Sequence, residues 1–205
     1  MNQLGMRVLQ LPIKSLQMFF DGAKLELGGL RIFTGSRPWV EANGVREEAV
    51  REGDAVDGGC VLLFPQAGLA WQWRWRCEDG RLLLESELEN RSDRPVSLGR
   101  LAWVGASDHW LKSVEPSGCL ALETPFEGRG YYRQRLTLDD PKCWHASGTL
   151  AQFWEGALGR ATQLGFLTFQ KTLNVVSYGD DLTMHSDYAG WTLAPGARVK
   201  CEFPF

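Results

Sequence analysis

Leu69-Ala70-Trp71-Gln72-Trp73-Arg74-Trp75-Arg76 is the stretch whose reading decides the fold. Leu69 and the three tryptophans alternate with Ala70, Gln72, Arg74 and Arg76, so on an extended backbone the indoles share one face and the polar groups mostly the other. A turn over Cys77 to Gly80 follows. Beyond it Leu82, Leu84, Ser86 and Leu88 fall on one face and Leu83, Glu85, Glu87 and Glu89 on the other, which completes an antiparallel hairpin. Arg74 and Arg76 face the glutamates across it. An indole buries on the order of 150–250 Å², which at about 25 cal/mol per Å² is roughly 4–6 kcal/mol per ring as an upper bound. Three neighbouring tryptophans left in water would forgo all of it. The stripe therefore reads as core between two sheets and not as a platform for stacking sugars.

The same punctuation extends along the chain. Asn90 to Pro95 makes a turn, and Val96 to Val104 reads as a third strand of the same meander. Lys24 to Phe33, Gly59 to Phe64, Gly118 to Glu123, Leu164 to Gln170, Thr172 to Tyr178, Leu182 to Tyr188 and Val199 to Phe203 are further strand candidates. They are separated by turn residues among 23 glycines and 9 prolines. Val40 to Arg51, charged around a glycine, reads as loop, and Leu150 to Thr162 as room for a short helical turn. Many short strands with this spacing specify an all-β, two-sheet antiparallel β-sandwich. With no repeat, linker or low-complexity segment, residues 1–205 read as one domain.

Composition narrows the function. At 205 residues and 44% hydrophobic, the chain is long enough to bury a core without metals or disulfides. Twenty-two Lys and Arg against 25 Asp and Glu, with the signs mixed, leave no footprint for nucleic acid or an anionic membrane surface. No apolar run reaches the roughly 18 residues of a membrane span, and Met1 to Phe20 lacks the pattern of a signal peptide. These features together read as a cytoplasmic protein. Cys60, Cys77, Cys119, Cys143 and Cys201 are scattered and read as reduced thiols. Cys143-Trp144-His145 is the nearest approach to a metal pair and its spacing is too short, so no metal and no cofactor is expected. Asn90-Arg91-Ser92 matches a glycosylation acceptor but reads as an ordinary turn.

No constellation for catalysis stands out. A glycosidase needs two carboxylates facing each other across a sugar. Glu85, Glu87 and Glu89 share a face, but beside arginines on the wet side of a hairpin. Asp139-Asp140-Pro141 and Gly179-Asp180-Asp181 are turn sequences, and Asp187 falls near a strand end. His109 has Asp108 as its neighbour, yet adjacent side chains on a strand point to opposite faces. Nucleophile elbows, phosphate loops and metalloprotease helices are absent.

Two stretches resemble a known family. Leu84-Glu85-Ser86-Glu87-Leu88-Glu89-Asn90-Arg91-Ser92-Asp93-Arg94-Pro95-Val96 is similar to a strand, Asn-x-Ser-Asp turn and strand of the amino-terminal β-supersandwich in family 36 glycoside hydrolases, the α-galactosidase and raffinose-synthase group. Leu164 to Thr168, Leu182 to Asp187, Gly190-Trp191-Thr192-Leu193-Ala194-Pro195-Gly196 and the closing stretch through Cys201-Glu202 resemble the end of that domain, with its "GFL" strand and "L-x-PG…E" turn. The resemblance implies a galactose-mutarotase-like supersandwich. It also implies that the catalytic aspartates belong to a (β/α)₈ barrel this chain does not contain, so no catalytic residue carries over. By order along the chain, Gly130-Tyr131-Tyr132-Arg133-Gln134 is similar to an aromatic loop that the family's sandwich lends to the rim of the sugar pocket. In that role Tyr131 or Tyr132 would stack on a sugar while Arg133 and Gln134 hydrogen-bond its hydroxyls.

The resemblance thus implies a non-catalytic accessory domain of an α-galactosidase-like hydrolase that supports or caps the sugar site and assists oligomerisation. Its expected partners are a catalytic barrel or a second copy, and galactosides. Two alternatives stay open. One is a stand-alone carbohydrate-binding module. The other is a mutarotase-like enzyme, which would need His109, His145 or His185 to converge with a carboxylate in one cleft.

Overall fold

In a computed structural model of the protein, the described residues are 16–20, 23–27, 30–56, 58–78, 81–106, 119–123, 132–135, 145–148, 150–155, 160–168, 170–178, 182–202 and 204. Among them every regular element is a strand and every pairing is antiparallel. The all-β sandwich expected from the sequence is what the chain forms.

Two sheets carry the core. The first holds β6 (Val50–Val56), β7 (Gly59–Phe64), β8 (Leu69–Glu78), β9 (Arg81–Asn90) and β18 (Arg198–Lys200), in the order β18-β9-β8-β7-β6. The second runs β13-β16-β17-β10-β4-β5. Its strands are β4 (Trp39–Ala42), β5 (Val45–Glu48), β10 (Val96–Ala106), β13 (His145–Ser147), β16 (Leu173–Tyr178) and β17 (Leu182–Leu193). A three-stranded sheet is formed by β1 (Leu16–Phe20), β2 (Ala23–Leu27) and β3 (Leu30–Ser36). A four-stranded one, ordered β12-β11-β14-β15, is formed by β11 (Cys119–Glu123), β12 (Tyr132–Arg135), β14 (Leu150–Glu155) and β15 (Arg160–Gly165).

The tryptophan stripe faces inward as its alternation requires. Trp71 and Trp73 are 0% and 3% exposed, and Trp75 packs half-buried beside them. Across the sandwich they meet Trp103 of β10, whose ring centroid lies 4.5 Å from that of Trp71 and 5.5 Å from that of Trp73. Trp71 and Trp73 themselves meet edge to face at 4.9 Å and 85°, the arrangement that aromatic quadrupoles favour. Trp71 Nε1 donates to Ser86 Oγ at 2.7 Å, which explains a polar residue among the leucines on the inner face of β9. Trp73 and Trp103 bury their indole N–H groups with no acceptor among the described residues, a cost of about 1–3 kcal/mol each that ring packing must offset.

Several expectations are corrected. Val96 to Val104 does not extend the meander of β8 and β9; it lies in the other sheet, between β17 and β4. Leu98, Leu101, Ala102 and Trp103 are all buried, the signature of a central strand covered on both faces. Val40 to Arg51 is not loop but the hairpin β4–β5 and the start of β6. Its Asn43-Gly44 turn has both residues at positive φ, 53° and 78°, as a two-residue hairpin loop requires. Within Leu150 to Thr162, where room for a helical turn was expected, the described residues form the paired strands β14 and β15, and 156–159 lie outside the described residues. Lys24 to Phe33 divides into β2 and β3. Leu164 to Gln170 is strand only to Gly165, and Val199 to Phe203 only to Lys200, whereas Leu182 to Tyr188 runs on to Leu193.

One asparagine joins the two main sheets. Asn90 ends β9 fully buried, its Nδ2 donating to Arg94 O at 2.8 Å and to Leu193 O at 3.0 Å. Its Oδ1 accepts from Ser92 N at 2.9 Å and Ser92 Oγ at 2.7 Å, which builds the turn read from the sequence. The Ala194-Pro195-Gly196-Ala197 turn closes with Ala197 N on Ala194 O, and Gly196 takes the positive φ of 68° that a proline–glycine type II turn demands. Asn90 holds this turn from below, accepting from Gly196 N and donating its own N–H to Ala197 O. Arg91 N donates to Gly68 O, and a Cβ on Gly68 would stand 2.6 Å from Ser92 Cβ, so only glycine fits there.

Two buried carboxylates close other turns. Glu47 accepts from Gln66 N and Ala67 N, and Glu202 from Gln170 N and Lys171 N. Replacing Asn90 by alanine strands several of these polar groups, and the expected loss is about 3 kcal/mol of unfolding free energy, read from the urea midpoint at constant slope. A loss below about 1 kcal/mol would mean that the sheets do not depend on this tie.

Candidate functional site

The pleat that buries the indoles throws Gln72, Arg74 and Arg76 onto the outer face of the five-stranded sheet. Strand pairing sets their neighbours. Val61, Gln72, Glu87 and Lys200 stand on one rung across β7, β8, β9 and β18, and Gly59, Arg74 and Glu85 on another. Two hollows open over these rungs, about 730 and 310 Å³, and Gln72, Arg74 and Glu85 border both, so they form one trough across the strands. Gly59 borders it beside Arg74, where a Cβ would lie 3.0 Å from Trp73 O and 3.9 Å from Arg74 Cγ, so a side chain would crowd the backbone of β8.

The charged residues of the trough balance, Glu52, Glu85 and Glu87 against Arg74, Arg76 and Lys200. Glu85 pairs with Arg76, as the alternation led one to expect, Glu87 with Arg198 at 3.6 Å and Glu52 with Arg91 at 3.3 Å. Glu89, next along β9, is held below the ordinary carboxylate value by Arg91 and then by Arg198. By contrast, the side chains of Gln72, Arg74 and Lys200 have no hydrogen-bond or ion-pair partner among the described residues. Donors are thus presented along the trough with no partner for them among the described residues.

A second polar group lies on the outer face of the six-stranded sheet. Arg100 pairs in register with Asp187, Nε to Oδ2 at 3.9 Å, and His185 stands one rung along on the same strand face. Its rung, Trp39, Ala102, His185 and Val175, is buried throughout. Burial, and secondarily Arg100, lowers the His185 pKa to about 4, against the opposing pull of Asp187. Asp187 is not at a strand end; it sits at a bulge of β17, where its Oδ1 accepts from Ala189 N at 2.8 Å and Ala189 takes a φ of 52°. That bulge leaves Trp191 47% exposed, stacked on Tyr188.

The residues proposed for sugar contact are only partly placed. Tyr132, Arg133 and Gln134 lie in β12, an edge strand paired with β11, where a loop was expected. Their side chains and Tyr131 lie outside the described residues, as do His109, Cys143, Asp139-Asp140-Pro141 and Gly179-Asp180-Asp181. His145 pairs with Tyr178 on β13, two strands from His185, so the backbone does not bring those histidines onto one rung. Among the described residues no three His, Cys, Asp or Glu side chains cluster to hold a metal, Cys60 and Cys201 are in no disulfide, and no helix is long and apolar enough to cross a membrane. Sequence reasoning assigned Gln72 and Arg74 to the wet face but did not join them to Lys200, because strand β18 is brought there only by long-range pairing.

No protein-family model and no curated protein sequence matches the chain. Solved structures do. The family 36 α-galactosidase AgaB from Geobacillus stearothermophilus superposes with a TM-score of 0.54 at 12% identity, over 82% of this chain and 29% of that one. The galactosidase domain of the α-galactosidase–sucrose kinase AgaSK gives 0.56 at 10% identity, over 88% and 30%. A doubly substituted AgaA from G. stearothermophilus in complex with stachyose gives 0.54 at 10% identity, over 82% and 29%. The chain has the fold of one part of the family 36 α-galactosidases. It spans less than a third of the length of each of these solved chains.

The His185 environment yields a measurable consequence. An unfolded histidine titrates near 6.5 and the folded one near 4, so folding expels a proton between those values and stability falls as pH drops through that window. The contribution, present in full above pH 6.5, is about 3 kcal/mol at most. His185→Gln is expected to flatten the fall in the urea midpoint between pH 6.5 and 4. An unchanged pH profile would place His185 in contact with solvent.

Proposed function

We propose that the chain is a non-catalytic accessory sandwich of an α-galactosidase-like glycoside hydrolase. It supports or caps a sugar site whose catalytic carboxylates are carried by a barrel, and it contributes surface to the oligomer. The observation that carries this reading is the asymmetry of coverage: 82% to 88% of this chain superposes on only 29% or 30% of enzymes that are α-galactosidases as a whole.

The chemistry of the described residues agrees. Hydrolysis of a glycoside needs a general acid kept protonated by a poorly solvated surrounding, opposite a second carboxylate. The trough carboxylates Glu52, Glu85 and Glu87 are instead each bound to an arginine near solvent. Such groups fix side chains and accept hydrogen bonds; they do not protonate a leaving oxygen.

The test is to read the coding sequence flanking this chain and to co-purify the chain with any barrel-type hydrolase encoded in or beside the same frame. The expected result is co-elution in size exclusion and release of galactose from stachyose by the pair but not by the chain alone. Galactose release by the chain alone, or a barrel equally active without it, overturns the accessory role.

A further inference from the structure

The trough on the outer face of the five-stranded sheet has a composition that selects its occupant. Its charges sum to zero, three carboxylates against three cations, which disfavours polyphosphates and nucleic acid, whose binding rests on uncompensated positive charge. Its lining mixes the polar side chains Gln72, Arg74, Arg76, Glu85, Glu87 and Lys200 with Val61, Trp73 and Trp75, which suits a partner that carries both hydroxyls and apolar C–H faces. The trough is dense in hydrogen-bonding groups of both kinds, with a planar guanidinium fork at Arg74 and an amide at Gln72 that can donate and accept together. Neither has a partner among the described residues, although Glu85 stands directly opposite Arg74 in the register.

The arrangement is held firmly. Glu87 and Glu89 are bound by Arg198 of β18, and Glu89 and Glu52 by Arg91, so three strands are cross-braced around the trough. Beneath Gln72 and Arg74 the inward residues of the same strand are the packed indoles Trp71 and Trp73. The backbone that carries Gln72 and Arg74 is therefore fixed by the packed indoles beneath it, and binding has only their side chains to order.

From these features we propose that the trough binds a neutral oligosaccharide laid across the strands. Vicinal hydroxyls bridge Gln72 and Arg74, and the chain extends towards Lys200 on one side and Gly59 on the other. Strands stand about 4.8 Å apart, so successive rows of donors and acceptors meet successive hydroxyl-bearing edges of a sugar chain. This site is independent of the accessory reading, because it needs only this chain and lies on residues remote in sequence from the Tyr131 to Gln134 segment.

The experiment is an amide chemical-shift titration of the whole chain with stachyose and, separately, cellotetraose, with oligogalacturonate as the charged comparison. The expected result is saturable shifts confined to β7, β8, β9 and β18, with a Kd on the order of millimolar for at least one neutral sugar. The Arg74→Ala and Gln72→Ala variants should each weaken it about tenfold. Both positions are solvent-exposed and bear no ion pair, so these variants fold. Trp191→Ala, which removes the exposed indole elsewhere on the surface, should leave affinity unchanged. The proposal is overturned by absence of shifts with both neutral sugars, by shifts that map to other strands, by tighter binding of oligogalacturonate, or by unaltered affinity in Arg74→Ala. None of these outcomes depends on whether a barrel hydrolase co-purifies.

Discussion

The contact of Trp71 and Trp73 with Trp103 is the constraint from which the rest of the sandwich follows. Rings this large occupy the inter-sheet space, and with centroids 4.5 to 5.5 Å apart they set how β8 and β10 face each other. Strand alternation then leaves no choice for the residues between them. If the indoles point in, Gln72, Arg74 and Arg76 must point out, and pairing with β9 and β18 supplies Glu85, Glu87 and Lys200 as their neighbours. Core and trough are two sides of a single strand. A slip of one residue in its register would exchange them, which the inner packing forbids.

The likeness to family 36 enzymes has a related physical origin. At 10% to 12% identity, what this chain shares with those structures is the fold. The Asn-x-Ser-Asp stretch and the L-x-PG…E stretch are distant in the sequence, yet Asn90 bonds Leu193, Gly196 and Ala197 directly, and Glu202 caps the backbone of Gln170 and Lys171. The two resembling segments form one joint between the sheets. They carry architecture and no chemistry, so they can identify the sandwich while leaving its ligand open.

Much of the fold was legible where burial is one-sided or where a short apolar run lies between turn residues. β7, β8, β9 and β16 alternate or run apolar between turn residues, and their limits follow the pattern closely. Legibility failed for two reasons. Charged strands such as β5, with Arg46, Glu47 and Glu48, lack an apolar face because Glu47 is buried as a cap for a turn; the Asn43-Gly44 dipeptide was the signal that outweighed them. Central strands such as β10 are apolar on both faces, so periodicity does not say which sheet they join. The trough was half legible. Alternation exposed Gln72 and Arg74, but which charges surround them depends on pairing with β18, which no local pattern encodes.

The tie at Asn90 also dictates an order of events in time. Leu193 is 103 residues beyond the asparagine that binds it, and β18, which completes the edge of the sheet beside β9, comes later still. While the chain emerges from the ribosome, β7, β8 and β9 can pair from local contacts, but β9 must wait with an open edge until the last strands are made. Contacts of such long range slow folding and prolong the exposure of an unpaired edge. The alternating charges Glu85, Glu87 and Glu89 on β9 stand where they keep that waiting edge from pairing with another nascent copy.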